Sequence, residues 1–233
     1  MREMNDTILE VSDLNVSFQN QTILDNISFK ADRGEMIAIV GPNGSGKSTL
    51  FKALLKLIPY EGKIVWKEKE KIGYVPQHIT IGDLPISVEE FLSFKKRSKI
   101  EEVLLSVELK SKEILQKQLR VLSGGELQRV FIAWAVMDEP NVLLFDEPTS
   151  GVDIGSEDVV YDMLHRLQKT EGITIFLISH DLHIVERYAD RVLALNRKLL
   201  YYGEPGELAK SDLLKMIFRD TSIQLEKNTA RME

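Results

Sequence analysis

Gly41-Pro42-Asn43-Gly44-Ser45-Gly46-Lys47-Ser48-Thr49 lies between an apolar run, Glu35-Met36-Ile37-Ala38-Ile39-Val40, and a stretch carrying Leu50, Phe51, Leu54, Leu55, Leu57 and Ile58. The run, bounded by Gly34 and Gly41, reads as a buried strand. The stretch from Lys47 reads as a helix with a broad apolar face that Pro59 ends. Between them the chain fits G-x-x-x-x-G-K-[ST]. Its glycines let main-chain N–H groups curl around an anion with no Cβ in the way. The helix start adds a partial positive charge facing the same anion. In that geometry Lys47 reaches the outer phosphates of a nucleoside triphosphate, and the Ser48 hydroxyl serves Mg²⁺.

Further along, Val142-Leu143-Leu144-Phe145 is a second apolar run, closed by Asp146-Glu147. Ligands bind at strand ends in open parallel sheets. Asp146 fits the acid that holds Mg²⁺, and Glu147 fits the group that orients or deprotonates an attacking water.

Alternation and β-formers predict short antiparallel strands at Ile8–Val11, Val16–Phe18 and Ile27–Phe29. Two more short strands are expected between Gly62 and Val75. From about Ser87 to Met137 the spacing turns helical, at Val88–Leu92, Ile100–Val107 and Gly125–Met137. Strand, helix, strand, helix, strand then follow at 142–146, about 154–170, 173–178, 181–187 and 191–195. That alternation is the signature of parallel β-α-β units. From Gly203 on, two short helices and a polar tail are expected.

With 233 residues, 43% hydrophobic and 28% charged, the composition is that of an ordinary globular chain. A formal net charge of −6 speaks against binding nucleic acid by bulk charge. The absence of cysteine excludes disulfide scaffolds and thiolate metal sites. Met1–Asp6 does not read as a signal peptide, and no run of roughly 20 apolar residues is long enough to span a bilayer. Work at a membrane would need a spanning partner.

The order of motifs resembles the nucleotide-binding subunit of ATP-binding cassette (ABC) transporters, from Ile8 to about Gly203. Leu122-Ser123-Gly124-Gly125-Glu126-Leu127-Gln128-Arg129-Val130 resembles the family's signature, with Glu126 where glutamine is commoner. The resemblance implies an α/β P-loop NTPase fold with a parallel sheet. An N-terminal antiparallel β-subdomain and an α-helical insertion would complete it. The core and β-subdomain would take 1–86 and 138–203, the helical subdomain 87–137, and the C-terminal helices and tail 204–233. It implies that Gly41, Pro42, Asn43, Gly44, Ser45, Gly46, Lys47, Ser48 and Thr49 bind ATP and that Phe18 stacks on adenine. Ser123, Gly124, Gly125 and Glu126 would face the ATP of a second copy, with Asp153 at the dimer seam. Gln77 would join Ser48 and Asp146 around Mg²⁺, and His180 would meet the γ-phosphate while Glu147 serves as base.

Implied partners are a second copy, an integral-membrane permease and, indirectly, a metal-binding periplasmic or lipoprotein receptor. Nucleic acid is not among them. The implied place is the cytoplasmic face of the cell membrane. Ile72-Gly73-Tyr74-Val75-Pro76-Gln77 with Leu84–Val88, and Ser179–His183 with Val192–Asn196, resemble the metal-import branch, ATPases of zinc importers first and manganese and iron relatives beside them. His183 reads as a surface or packing residue. Leu84, Ile86, Phe91 and Phe94 are candidates for a permease-docking surface, with internal packing an equal alternative for Phe91. A soluble cassette ATPase without a permease, such as one for iron–sulfur cluster assembly, would share every catalytic motif. The absence of sustained heptads and cysteines argues against chromosome-maintenance ATPases.

Overall fold

The computed structural model describes residues 6–67, 70–77, 85–95, 99–109, 112–147, 157–210 and 213. In chain order the elements are β1 (Thr7–Phe18), β2 (Gln21–Asp32), β3 (Met36–Val40), α1 (Lys47–Leu54), β4 (Glu61–Trp66), β5 (Ile72–Val75), α2 (Val88–Ser93), α3 (Ile100–Ser106), α4 (Gly124–Val136), β6 (Val142–Asp146), α5 (Glu157–Glu171), β7 (Thr174–Ile178), α6 (Leu182–Tyr188), β8 (Arg191–Asn196), β9 (Lys198–Gly203) and α7 (Pro205–Ala209). Two 3₁₀ turns, Lys112–Gln116 and Leu119–Val121, precede α4. The fold is α/β. The chain forms two compact units, one of Met1–Glu68 with Ile178–Glu233, the other of Lys69–Leu177.

In the first unit, β2, β1 and β4 make an antiparallel sheet. Where three short strands were expected, β1 and β2 each run for 12 residues. The apolar parity shows why. Leu9 and Val11 are buried, and so are Leu14 and Val16, which requires one extra residue between the pairs. Asp13 takes it up at φ 51, and Asn26 does the same in β2 at φ 54, between buried Leu24 and Ile27. Side chains replace the lost ladder bonds: Asp13 N–H donates to Ser28 Oγ (2.8 Å) and Asn26 N–H to Asn15 Oδ1 (2.9 Å). A bulge thus bends each strand without ending it and keeps the apolar set on one face.

β3 pairs in parallel with β8, and β8 pairs antiparallel with β9. All five residues of β3 are buried, as expected of a strand covered on both faces. β9 is an addition to the expected strands. Its residues are only half-buried apart from exposed Lys198, so it lacks the apolar run that marks β3.

The helix after the glycine loop ends earlier than Pro59. Leu57 N–H donates to Lys52 O (2.8 Å) and Lys56 N–H to Ala53 O (2.9 Å), with Lys56 at φ 57. These bonds close a Schellman motif with a lysine where glycine is usual. Leu57, assigned to the apolar face, is therefore exposed. Leu50, Phe51 and Leu54 remain buried, each contributing about 1.5–3 kcal/mol. Trp66 Nε1–H donates to Leu54 O (3.3 Å), which ties β4 to the end of α1.

In the second unit, β5 pairs in parallel with β6, and β7 neighbours β6; β6 and β7 are buried throughout. α4 packs so closely on β5 that a Cβ on Gly73 would stand 3.0 Å from Ala135 O. Phe91, itself half-buried, stacks on Trp134 (4.4 Å between centroids) and meets Phe131 edge-on (5.4 Å). Phe94 is exposed and Ile86 half-buried; Leu84 lies outside the described residues. Of the two C-terminal helices expected, α7 is present; residues 214–233 are outside the described set.

Replacing Lys56 by Gly removes a left-handed side-chain penalty of about 1 kcal/mol and is expected to raise Tm by roughly 2–4 °C. Thermal unfolding of Lys56→Gly against the parent checks it.

Candidate functional site

The glycine loop starts where β3 ends. Gly41 has φ 154, and a Cβ there would stand 2.0 Å from Leu195 O at the end of β8. Gly46 has φ 103, and its Cβ would meet Leu24 Cδ2 at 2.6 Å. Neither position admits any other residue without moving backbone or core. The loop is braced from outside the motif: Arg197 N–H, in the β8–β9 turn, donates to Ser45 O (2.9 Å), and Arg197 O accepts from Asp25 N–H (2.8 Å). No motif marks Arg197. The only trace is a polar break, Asn196-Arg197-Lys198, between two apolar runs, and Arg197 turns it at φ 58.

Three features of the loop suit an anion. Buried Ser45 Oγ has no hydrogen-bond partner among the described residues. The N-cap of α1 is Gly46, which offers no capping side chain, and the first turn holds no acidic residue, so the helix's positive end is uncompensated. Buried Lys47 brings its ammonium to the loop, where Nζ donates to Gly41 O (2.9 Å) and Pro42 O (3.1 Å). Asn43 and Gly44 are exposed, Pro42, Ser48 and Thr49 half-buried. Phe18 ends β1, 44% exposed.

His180, just past the end of β7, belongs with the loop to the first unit. Buried Ser179 donates its N–H to Ile39 O (3.3 Å), and its Oγ accepts from Asp181 N–H (3.1 Å). Asp181 caps α6 by accepting from His183 N–H (2.8 Å) and Ile184 N–H (3.4 Å). Both neighbours of His180 are thus fixed, and His180 itself is exposed. His183 is likewise exposed.

The second unit holds the acids. Asp146, the last residue of β6, is buried. Glu147 turns into the left-handed region at φ 52, breaking strand alternation, and Gln77 Nε2–H donates to its Oε2. A carboxylate kept at positive φ carries strain of order 1 kcal/mol, a pattern found at functional sites. Burial, and then the charge of Asp146, hold the Tyr74 phenol above its ordinary pKa, so Tyr74 stays neutral beside the acid.

α4 begins at Gly124 with Ser123 as N-cap. Ser123 Oγ accepts from Glu126 N–H (3.2 Å), and Glu126 Oε2 accepts from Ser123 N–H (2.9 Å), a reciprocal capping box. Gly124 and Gly125 form its first turn. Asp153 and the residues around it, 148–156, lie outside the described set.

A strand, a glycine loop and a helix with an open N-terminus define a nucleoside-triphosphate-binding domain. Residues 24–150, more than half the chain, match the model of the ABC transporter family. The zinc import ATP-binding protein ZnuC of Haemophilus influenzae is 42% identical over 205 residues, covering 87% of this chain and 76% of that protein. ZnuC of Wigglesworthia glossinidia brevipalpis is 39% identical over 209 residues, covering 88% of this chain and 89% of that protein. Among solved structures, the ADP conformation of MJ1267, an ATP-binding cassette of an ABC transporter, superposes with a TM-score of 0.81 at 25% identity, covering 91% of this chain and 98% of that one. The chain belongs to the ABC transporter family. It binds ATP and is an ATP-hydrolysing transporter ATPase.

The sterics of the loop are testable. Gly41→Ala should cost about 2–3 kcal/mol and lower Tm by roughly 4–10 °C. Gly44→Ala, where nothing lies within 4 Å of the added Cβ, should cost only about 1 kcal/mol from its φ of 76. Paired thermal melts read the contrast.

Proposed function

We propose that this chain is the ATP-binding subunit of a membrane importer of divalent metal ions, zinc first among them. The observation that carries the metal is the identity, near 40% over most of the chain, with proteins named for zinc import. ATP supplies the work, and the metal is cargo that this subunit need not touch.

The chemistry follows from the residues. The loop N–H groups and Lys47 bind the β- and γ-phosphates, and Phe18 supports adenine. Ser48, Gln77 and Asp146 offer hard oxygen donors of the kind Mg²⁺ takes, and the bound ion neutralises phosphate charge. Glu147 accepts a hydrogen bond from the attacking water and draws off its proton, and Gln77, bonded to that carboxylate, sets its direction. His180 steadies the γ-phosphate. Ser123, Gly124, Gly125 and Glu126 close on the ATP of a second copy, with Asp153 at the seam. Each site then needs two chains, so ATP binding closes the pair and loss of the γ-phosphate releases it.

Among the described residues no helix is long and apolar enough to cross a membrane. The subunit reaches the cytoplasmic face of the membrane by docking on a permease, which receives metal from a binding receptor outside. The stretch after Gln77 and the helices to about Leu115 form the docking side.

Glu147→Gln should leave ATP binding intact, cut turnover by about 10²–10⁴-fold and accumulate an ATP-bound dimer. Lys47→Ala should weaken ATP binding by roughly 10–100-fold through the lost charge-assisted bonds. Calorimetric titration with ATP and phosphate-release assays separate the two. Parental turnover in Glu147→Gln would refute the base, and unchanged affinity in Lys47→Ala would refute the cradle.

A further inference from the structure

We infer that Lys117 is a positioning residue of the ATPase: its ammonium neutralises Glu126 so that the N-terminus of α4 can accept the γ-phosphate held by a second copy of the chain. The inference rests on the reading above, in which two copies pair head-to-tail and each closes its α4 on the ATP of the other.

The starting point is a conflict of charge. An anion-binding helix N-terminus works because its unpaired N–H groups carry partial positive charge. Glu126, the third residue of α4, places a full negative charge among them. Its Oε2 caps Ser123 N–H at 2.9 Å. That bond, chiefly, and the contact with Lys117 hold the carboxyl below the usual carboxylate range, so the negative charge persists at neutral pH. Capping does not need the charge: a glutamine oxygen would accept the same bond and stay neutral. A carboxylate, by contrast, repels an incoming triphosphate.

Lys117 resolves the conflict through the other oxygen, with Nζ 3.1 Å from Glu126 Oε1. The carboxylate is thereby divided between two tasks, one oxygen for the cap and one for the cation. The lysine is held where this is possible. Lys117 O accepts from Val88 N–H (3.0 Å), Lys117 N–H donates to Ile114 O (3.2 Å), and Leu119 N–H donates to Ile86 O (3.0 Å). Ser87 and Gln118 form an antiparallel bridge between them. Arg120, the next cation along, is turned to Gln118 Oε1 (2.7 Å). An exposed ion pair contributes little to folding, so this one is better placed to act on charge than on stability.

The test uses the full chain in the Glu147→Gln background and follows dimer fraction by sedimentation as ATP is raised. Lys117→Met should raise the ATP concentration for half-maximal dimer by about two- to fivefold, with an unchanged Tm. Lys117→Arg should keep the parental value. Adding Glu126→Gln to Lys117→Met should restore it, because no charge then needs neutralising. Dimerisation indifferent to Lys117→Met, or a loss that persists with Glu126→Gln, would overturn the role of Lys117 alone. Failure of the Glu147→Gln parent to dimerise with ATP would overturn the head-to-tail reading and this inference with it.

Discussion

A backbone made of glycine, held against neighbours that leave no room for a Cβ, is the constraint on which the rest depends. Gly41 lies under Leu195 O and Gly46 against Leu24. Left-handed segments of this kind are poorly stable by themselves, and this one is held by its frame: buried β3 before it, α1 after it, and the Arg197 turn bonded to Ser45 O. In the proposed function rigidity matters because the loop would present N–H groups that need no rearrangement when phosphate arrives. The bulged β1–β2 pair and the β8–β9 hairpin, both outside the glycine loop, supply Leu24, Asp25 and Arg197 to that frame.

The glycine-bearing starts of α1 and α4 treat charge differently. α1 opens with no capping side chain and no acid, so its field is free for a ligand. α4 opens with a capping box whose acid would spoil such a field without Lys117. The first arrangement costs helix stability and yields a strong anion site; the second stabilises the helix start and needs a compensating cation. In the proposed function both serve one requirement, positive potential where phosphate would bind.

The motif-bearing parts were legible because they combine composition with order. Buried strands such as β3, β6 and β7 announce themselves as continuous apolar runs, and a glycine loop with its lysine between strand and helix is the form that phosphate binding requires. What was not legible depends on distant partners. The continuity of β1 and β2 rests on side-chain bonds from Ser28 and Asn15 across the ladder. Lys56 ends α1 with a conformation its residue type disfavours, ahead of the proline that reads as the stop. Arg197 braces the loop through its main chain, which its side chain does not advertise. Phe91 packs on Trp134 and Phe131 of α4, more than a helix away in sequence. Lys117 sits in a short 3₁₀-rich stretch without periodicity, and only the structure sets it beside Glu126.

The most direct test of the account is to capture the tagged Glu147→Gln chain from detergent-solubilised membranes in the presence of ATP and identify what comes with it. An importer subunit should bring down two copies of itself on a multispanning permease, released when ATP is withdrawn. Recovery in a soluble assembly with no membrane protein would leave the ATPase chemistry standing and contradict the role in metal import.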